Sequence, residues 1–373
     1  MGESIRLVDL IQTRIDGFLA ERTPILLSIG NDLGALDSFS REFLSGGKRF
    51  RALFCYWGWQ SVHGTGNGAH SAVQDADERT LDTVVAAASA LELFHAAALV
   101  HDDIIDKSDT RRGAPSGHRR FERLHQENGW VGDSAEFGSA AAILLGDLLL
   151  GWSDELLDEG LDQVADVSIR RAARAEYNLM RMEVTAGQYL DILEERAWNT
   201  QPESELLARA ERVIVYKSAK YSVEAPLVIG ATLAGATVGQ LESLREFGLP
   251  LGIAYQLRDD LLGVFGDADV TGKPSGDDLR EGKRTVLIGL ARRSLPTGSR
   301  RLLDELLGDP SLSEQQIRML QTTIRESGAV DSVERMIAGN VERAVAAIDR
   351  APLSERARVQ LRELTTTVTR RNS

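Results

Sequence analysis

At 373 residues, 43% hydrophobic and 27% charged, the chain has the balance of an ordinary globular protein and the length for one large core or two domains. A formal net charge of -13 argues against general affinity for nucleic acid or anionic lipid, so local basic clusters stand out. The lone Cys55 excludes an internal disulfide, and one Cys with six scattered His gives no zinc spacing; a reducing, cytoplasmic setting and an inert buried thiol are expected.

Helical periodicity dominates in chain order, while period-2 alternation bounded by turn residues is nearly absent, which predicts an all-α fold. The N-terminal stretch MGESIRLVDLIQTRIDGFLAERT mixes acids and bases throughout, unlike a signal peptide, and its apolar residues recur at helical spacing. Leu44 to Gln60 contains SGGKRFRALFCYWGWQ, a glycine turn opening a helix that begins with Lys48, Arg49 and Arg51. A helix N-terminus with basic side chains suits an anion. The P-loop spacing fails, because Glu42 stands where the first Gly belongs and Arg49 follows the Lys. A solvated basic turn would read the same way. Gln60 to Arg79 reads as a surface loop, and its GTGNG lacks the spacing of a dinucleotide site.

The stretch Val84 to Gly113, VVAAASALELFHAAALVHDDIIDKSDTRRG, is an apolar helix that runs into three carboxylates and two arginines. Ser89, Glu92 and His95 interrupt its apolar run, so a buried core helix is expected rather than a membrane span. Asp102 and Asp106 fall at i, i+4, with Asp103 and Asp106 at i, i+3, so like charges crowd one helix end where the dipole already disfavours anions. A hard divalent cation that takes carboxylate oxygens and a substrate phosphate would relieve the repulsion. Taken alone, the cluster is equally a solvated acidic helix end.

Helices are expected at Ser139 to Glu159, at Val167 to Glu195, which includes Gln188 and Asp191, and at Leu206 to Ala225, which includes Lys217 and Ser218; Arg196 to Glu203 reads as a turn. The acidic pattern then returns. Phe247 to Gly263 is another apolar helix ending in Asp259 and Asp260, with Gln256 a turn earlier, and the loop after it supplies Lys273, Lys283 and Arg284. Two such motifs facing a cavity, bridging Mg²⁺ to a polyphosphate, describe a site for binding and releasing diphosphate. An anionic head with a hydrocarbon body is the substrate class inferred. Residues 299–373 read as amphipathic packing helices, and no linker divides the chain, so a single domain over 1–373 is expected.

The segments GGKRFRA, LVHDDIIDKSDTRRG, GQYLD, YKSA and YQLRDDLLGVFGDADVTGKPSGDDLREGKRT, in order across residues 46–285, resemble those of the trans-isoprenyl diphosphate synthases, or polyprenyl synthetases. The resemblance implies an all-α bundle around a deep hydrophobic cavity, a homodimer, three Mg²⁺ per active site and isoprenoid diphosphates as substrates. By motif, Asp102, Asp106 and Asp259 match metal ligands, supported by Asp103 and Asp260. Lys48, Arg51, His95 and Arg112 match the isopentenyl diphosphate pocket. Arg111, Lys217, Lys273 and Lys283 match contacts to the allylic diphosphate, and Ser218, Gln256, Gln188 and Asp191 match residues beside the allylic cation. Gly263 departs from the pattern, which often has a third aspartate there.

Farnesyl-making relatives often carry aromatics four or five residues before the first aspartate, where this chain has Ala98 and Ala97; Phe94 is the first bulky side chain. At 1.5 Å per residue, Ala97 lies about 7.5 Å and Phe94 about 12 Å below Asp102, so a C20 product, geranylgeranyl diphosphate, is expected. Phe94 could equally be core packing. Rival readings are a longer- or shorter-chain synthase, a class I terpene cyclase, a non-catalytic prenyltransferase subunit, and a metal-dependent phosphohydrolase built on the pair His101 and Asp102.

Overall fold

The computed structural model describes residues 2–63, 74–266 and 275–369, so the candidate Lys273 lies outside the described residues. Two compact units emerge, one of Met1–Arg174 with Ile229–Ala236, the other of Ala175–Val228 with Thr237–Ser373.

In the first unit, α1 (Gly2–Ile29) buries Leu7, Ile11, Ile15, Phe18 and Leu19, the stripe that 3.6-residue periodicity places on one face. After α2 (Gly34–Phe43), α3 (Phe50–His63) is buried almost all round, from Ala52 to Trp59. The long helix α4 (Gln74–Ile105) is largely apolar from Val84 to Val100, and accordingly Val84, Ala88, Leu91, Leu93 and Ala97 are sealed in the core. It packs on α6 (Ser134–Leu161), beyond the short α5 (Gly117–Glu127). Small side chains permit the approach: a Cβ on Gly160 would lie 2.8 Å from Ala86 Cβ, and Ser153 Oγ donates to the Ala90 carbonyl at 2.6 Å. Asp133 caps α6 by accepting from the Ala135 and Glu136 amides.

Several expected helix boundaries shift: α6 starts five residues and the Val238–Phe265 helix nine residues earlier than expected. Helix runs through His63 and resumes at Gln74, so the ends of the expected Gln60 to Arg79 loop are helical. After α4, the chain forms a two-stranded hairpin, β1 (Thr110–Arg111) against β2 (Ala114–Pro115), with Thr110 opposite Pro115. Arg112 and Gly113 turn it with φ of 53° and 76°, the left-handed pair that a two-residue hairpin needs. Periodicity over two residues carries no strand signal.

The second unit holds most of α7 (Val167–Ala197), then α8 (Leu206–Val213), which passes through a π-helical segment, Ile214–Glu224, into α9 (Ala225–Leu233). Next comes α10 (Val238–Phe265), opened by a capping box between Thr237 and Gln240. Smaller helices follow: α11 (Asp277–Glu281), α12 (Val286–Ser294), α13 (Thr297–Leu306), α14 (Glu314–Glu326), α15 (Ala329–Arg350) and α16 (Glu355–Thr369). A core of Leu257, Leu261, Leu279, Leu287, Ile324 and Val333 joins several of them.

Among the described residues, two helices are long and apolar enough to cross a membrane. The first, Thr80–Ile105, has 83% of its most apolar stretch buried in protein, as a core helix should. The second, α6, has only 28% so buried.

Candidate active site

The carboxylates at the end of α4 divide by exposure. Asp102 and Asp106 stay partly open to solvent, while Asp103 is 0% exposed. Asp103 accepts from Arg111 Nε at 2.9 Å and from Arg111 Nη2, and that guanidinium also stands 3.6 Å from Asp102. The hairpin thus folds Arg111 back over the acidic turn and neutralises the most buried charge. Helical spacing predicted the neighbours but not which one would be buried.

The basic turn before α3 divides in the same manner. Arg49 has a φ of 50° and is only 6% exposed; it donates to Glu92 Oε2 at 3.1 Å, to Gln12 Oε1 at 2.5 Å and to the Leu44 carbonyl. Glu92 also accepts from the Ala52 amide at 3.3 Å, so the interruption of the apolar helix α4 is the anchor of the basic turn. Lys48 is exposed and Arg51 partly so. A Cβ on Gly47 would lie 3.4 Å from Arg112 Nη1, which places the hairpin guanidinium over the glycine turn. His95 lies within this group: burial, then the charges of Arg51, Arg112, Arg111 and Arg49, hold its imidazole well below the ordinary range, so it is neutral. Arg51, His95 and Arg112 therefore share one cationic region with Arg49 and Arg111. A cavity of about 540 Å³ adjoins the basic turn, lined by Gly46 and Arg49 together with Val8, Gln12, Asp16 and Arg41.

In the second unit, Asp191 on α7 bridges two lysines. Lys217 Nζ is 2.5 Å and Lys283 Nζ 3.2 Å from Asp191 Oδ2, and Lys283 also reaches Glu195 Oε1 at 3.1 Å. Lys217 and Ser218 both belong to the π-helical segment. Glycines bring that segment close to its neighbours: a Cβ on Gly187 would meet the Lys217 amide nitrogen at 2.3 Å, and one on Gly252 the Ala219 carbonyl oxygen at 2.4 Å. π-Turns cluster at functional sites, and here one presents Lys217 toward Asp191. Gln188 is partly exposed one turn before Asp191.

On α10, Gln256 Nε2 donates to Asp260 Oδ1 at 2.8 Å. Asp260 is 5% exposed and its Oδ2 is buried without a hydrogen-bond partner among the described residues. Burial first, and the neighbouring Asp259 and Asp191 charges next, raise its pKa to about 7 despite the Gln256 bond. Asp259 remains partly exposed. Buried Asp103 has an arginine, whereas buried Asp260 has a neutral amide.

Among the described residues no three His, Cys, Asp or Glu groups enclose an ion by themselves. Mg²⁺ does not require that, since it keeps waters and takes phosphate oxygens with one or two carboxylates. The donors at both motifs are carboxylate oxygens, and the orphaned Asp260 Oδ2 is an acceptor that a cation or its water would satisfy, so the residues fit a hard divalent ion. His101 does not fit a histidine metal site with Asp102: its Nε2 is 3.3 Å from the Ile143 carbonyl and 3.6 Å from Asp147.

The family model for polyprenyl synthetase matches residues 35–324. The chain belongs to the polyprenyl synthetase family. A geranylfarnesyl diphosphate synthase of Aeropyrum pernix is 32% identical over 83% of this chain and 85% of its own length. A solved geranylgeranyl pyrophosphate synthase of Corynebacterium glutamicum, complexed with isoprenyl diphosphate and magnesium, is 36% identical, with a TM-score of 0.89 over 98% of this chain and 99% of that one. A polyprenyl synthase of Caulobacter crescentus, complexed with calcium and isoprenyl diphosphate, is 26% identical, with a TM-score of 0.75 over 100% of this chain and 98% of that one. This polyprenyl synthetase is thus an all-α prenyltransferase, as its motifs suggested, and the phosphohydrolase reading falls away. The residues that motif reading passed over are Glu92 and Glu195, whose partners are distant in sequence. Only the isolation of Glu92 within an apolar run hinted at it, while Glu195, beside Glu194 and four residues after Asp191, carried no such signal.

Proposed function

We propose that this polyprenyl synthetase is a chain-elongating synthase that condenses isopentenyl diphosphate with C5 to C15 allylic diphosphates to make geranylgeranyl diphosphate, acting as one domain over 1–373, as a homodimer in the cytoplasm. Asp102, Asp106 and Asp259 hold Mg²⁺, three ions per site, with Asp103 and Asp260 in support. When bound, Mg²⁺ neutralises charge developing on the departing diphosphate. Lys48, Arg51, His95 and Arg112 bind the diphosphate of isopentenyl diphosphate. Arg111, Lys217, Lys273 and Lys283 bind that of the allylic substrate. Gln188, Asp191, Ser218 and Gln256 orient the ionising chain beside the allylic cation, which the isopentenyl double bond attacks; the proton lost afterwards passes to the departing diphosphate.

The observation that carries this reading is the group of arginines around a neutral His95. Arg49 pairs with Glu92 and Arg111 with Asp103, while Arg51 and Arg112 bring further positive charge to the same imidazole, a setting that suits an anion. A cyclase acting on a single diphosphate has no use for such a pocket. The test is Asp102→Ala: with Mg²⁺, isopentenyl and farnesyl diphosphates, turnover should fall at least about 100-fold. Near-full turnover would remove the metal assignment.

A further inference from the structure

Glu92 is the only Asp, Glu, Lys or Arg between Val84 and Val100, and it is 5% exposed. Its two carboxylate oxygens serve different parts of the basic turn. Oε2 accepts from Arg49 Nη1 at 3.1 Å, and Oε1 accepts from the Ala52 amide at 3.3 Å. That amide is the third of α3, and the Leu53 amide after it donates to the Arg49 carbonyl at 2.9 Å, which puts Arg49 in the N-cap place. An N-cap side chain ordinarily accepts from such an amide, but an arginine has no acceptor to offer. The Glu92 carboxylate, from another helix, does the capping instead.

Arg49 is held on its other side as well. Its φ of 50° is uncommon for a residue with a side chain and persists only where the surroundings over-determine it. Glu92, Gln12 Oε1 and the Leu44 carbonyl do so together. Lys48 precedes this bend and Arg51 follows it, so one backbone turn sets the course of both. The hairpin rests on the same turn, since a Cβ on Gly47 would lie 3.4 Å from Arg112 Nη1 and 3.5 Å from its Nη2. Burial lowers the Arg112 pKa, and the Glu92 charge opposes that loss.

We propose that Glu92 is a positioning residue for isopentenyl diphosphate: by capping α3 and holding Arg49, it fixes the turn that carries Lys48 and Arg51 and against which Arg112 lies. It acts through these cations, and the inference rests on the isopentenyl diphosphate pocket given above. As a charge alone, a carboxylate here would repel a diphosphate. The two roles therefore predict opposite changes when the charge is removed.

The experiment is steady-state kinetics on the full chain with Mg²⁺, giving KM separately for isopentenyl and farnesyl diphosphates. Glu92→Gln, close in shape, should raise KM for isopentenyl diphosphate about 10-fold or more, with KM for farnesyl diphosphate and kcat within about threefold of wild type. Arg49→Lys keeps the charge but loses the guanidinium fork, and should show the same split at about threefold or more; it decides the matter if Glu92→Gln does not fold. An unchanged or lowered KM for isopentenyl diphosphate overturns the inference, as does an equal rise in both KM values. A wild-type KM for isopentenyl diphosphate in Lys48→Ala overturns the pocket reading itself, a separate result.

Discussion

His95 shows how a single side chain reports its surroundings. An unfolded histidine titrates near about 6.5, and the folded imidazole titrates lower, so below that pH the unfolded chain binds the extra proton. Its contribution to stability is complete above pH 6.5 and is lost as pH falls toward the folded value. Melting curves of His95→Gln should show a shallower acid-side loss than wild type, and an identical slope would contradict the placement. At the same scale, Ala97 is fully buried and Phe94 is 5% exposed, whereas Ala98 is partly exposed, the most open of the three proposed chain-length residues. Ala98→Phe should shorten the product by one or more isoprene units, and Phe94→Ala should lengthen it, both read by chromatography of the products; an unchanged length in Ala98→Phe would contradict the floor assignment. Residue identity separated none of the three basic residues after Gly47. Arg49 turns inward because its left-handed backbone aims it at Glu92, 43 positions away, and no periodicity carries that.

Helices are the level at which the sequence is most legible. Apolar periodicity locates α6 and the C-terminal end of α10 within about five residues, since burial of one face is what makes a long helix stable, but the start of α10 at Val238 lies nine residues before the expected Phe247. The π segment escapes, because its pattern reads as one helix from Leu206 to Ala225; what distinguishes it is the close approach at Gly187 and Gly252, which only packing reveals. Helix α6 carries a prediction of its own. Its Ile143 is 45% and Leu144 63% exposed, although the helix is apolar enough for a hydrocarbon environment. Leaving such side chains in water is costly, and a second copy of the chain would cover them. Sedimentation at micromolar concentration should give a dimer, and Leu144→Glu should shift it toward monomer; a wild-type monomer would contradict this.

Across the whole molecule, fold class followed from the near absence of alternation, and candidate chemistry from two acidic motifs that end apolar helices 157 positions apart. What composition could not supply was the division of labour within each motif. Asp103 and Asp260 are buried and Asp102, Asp106 and Asp259 are open, so the exposed members are the ones able to meet an incoming ion. At Gly263, where the pattern departs, the Asp278 carboxylate lies in the space a side chain would need. These features all serve one claim: the chain extends an allylic diphosphate by isopentenyl units with Mg²⁺. The direct measurement incubates the full chain with isopentenyl and farnesyl diphosphates, with and without Mg²⁺, and analyses chain length. Geranylgeranyl diphosphate formed only when Mg²⁺ and both substrates are present is the predicted result; no elongation, or a hydrocarbon released from farnesyl diphosphate alone, would contradict it.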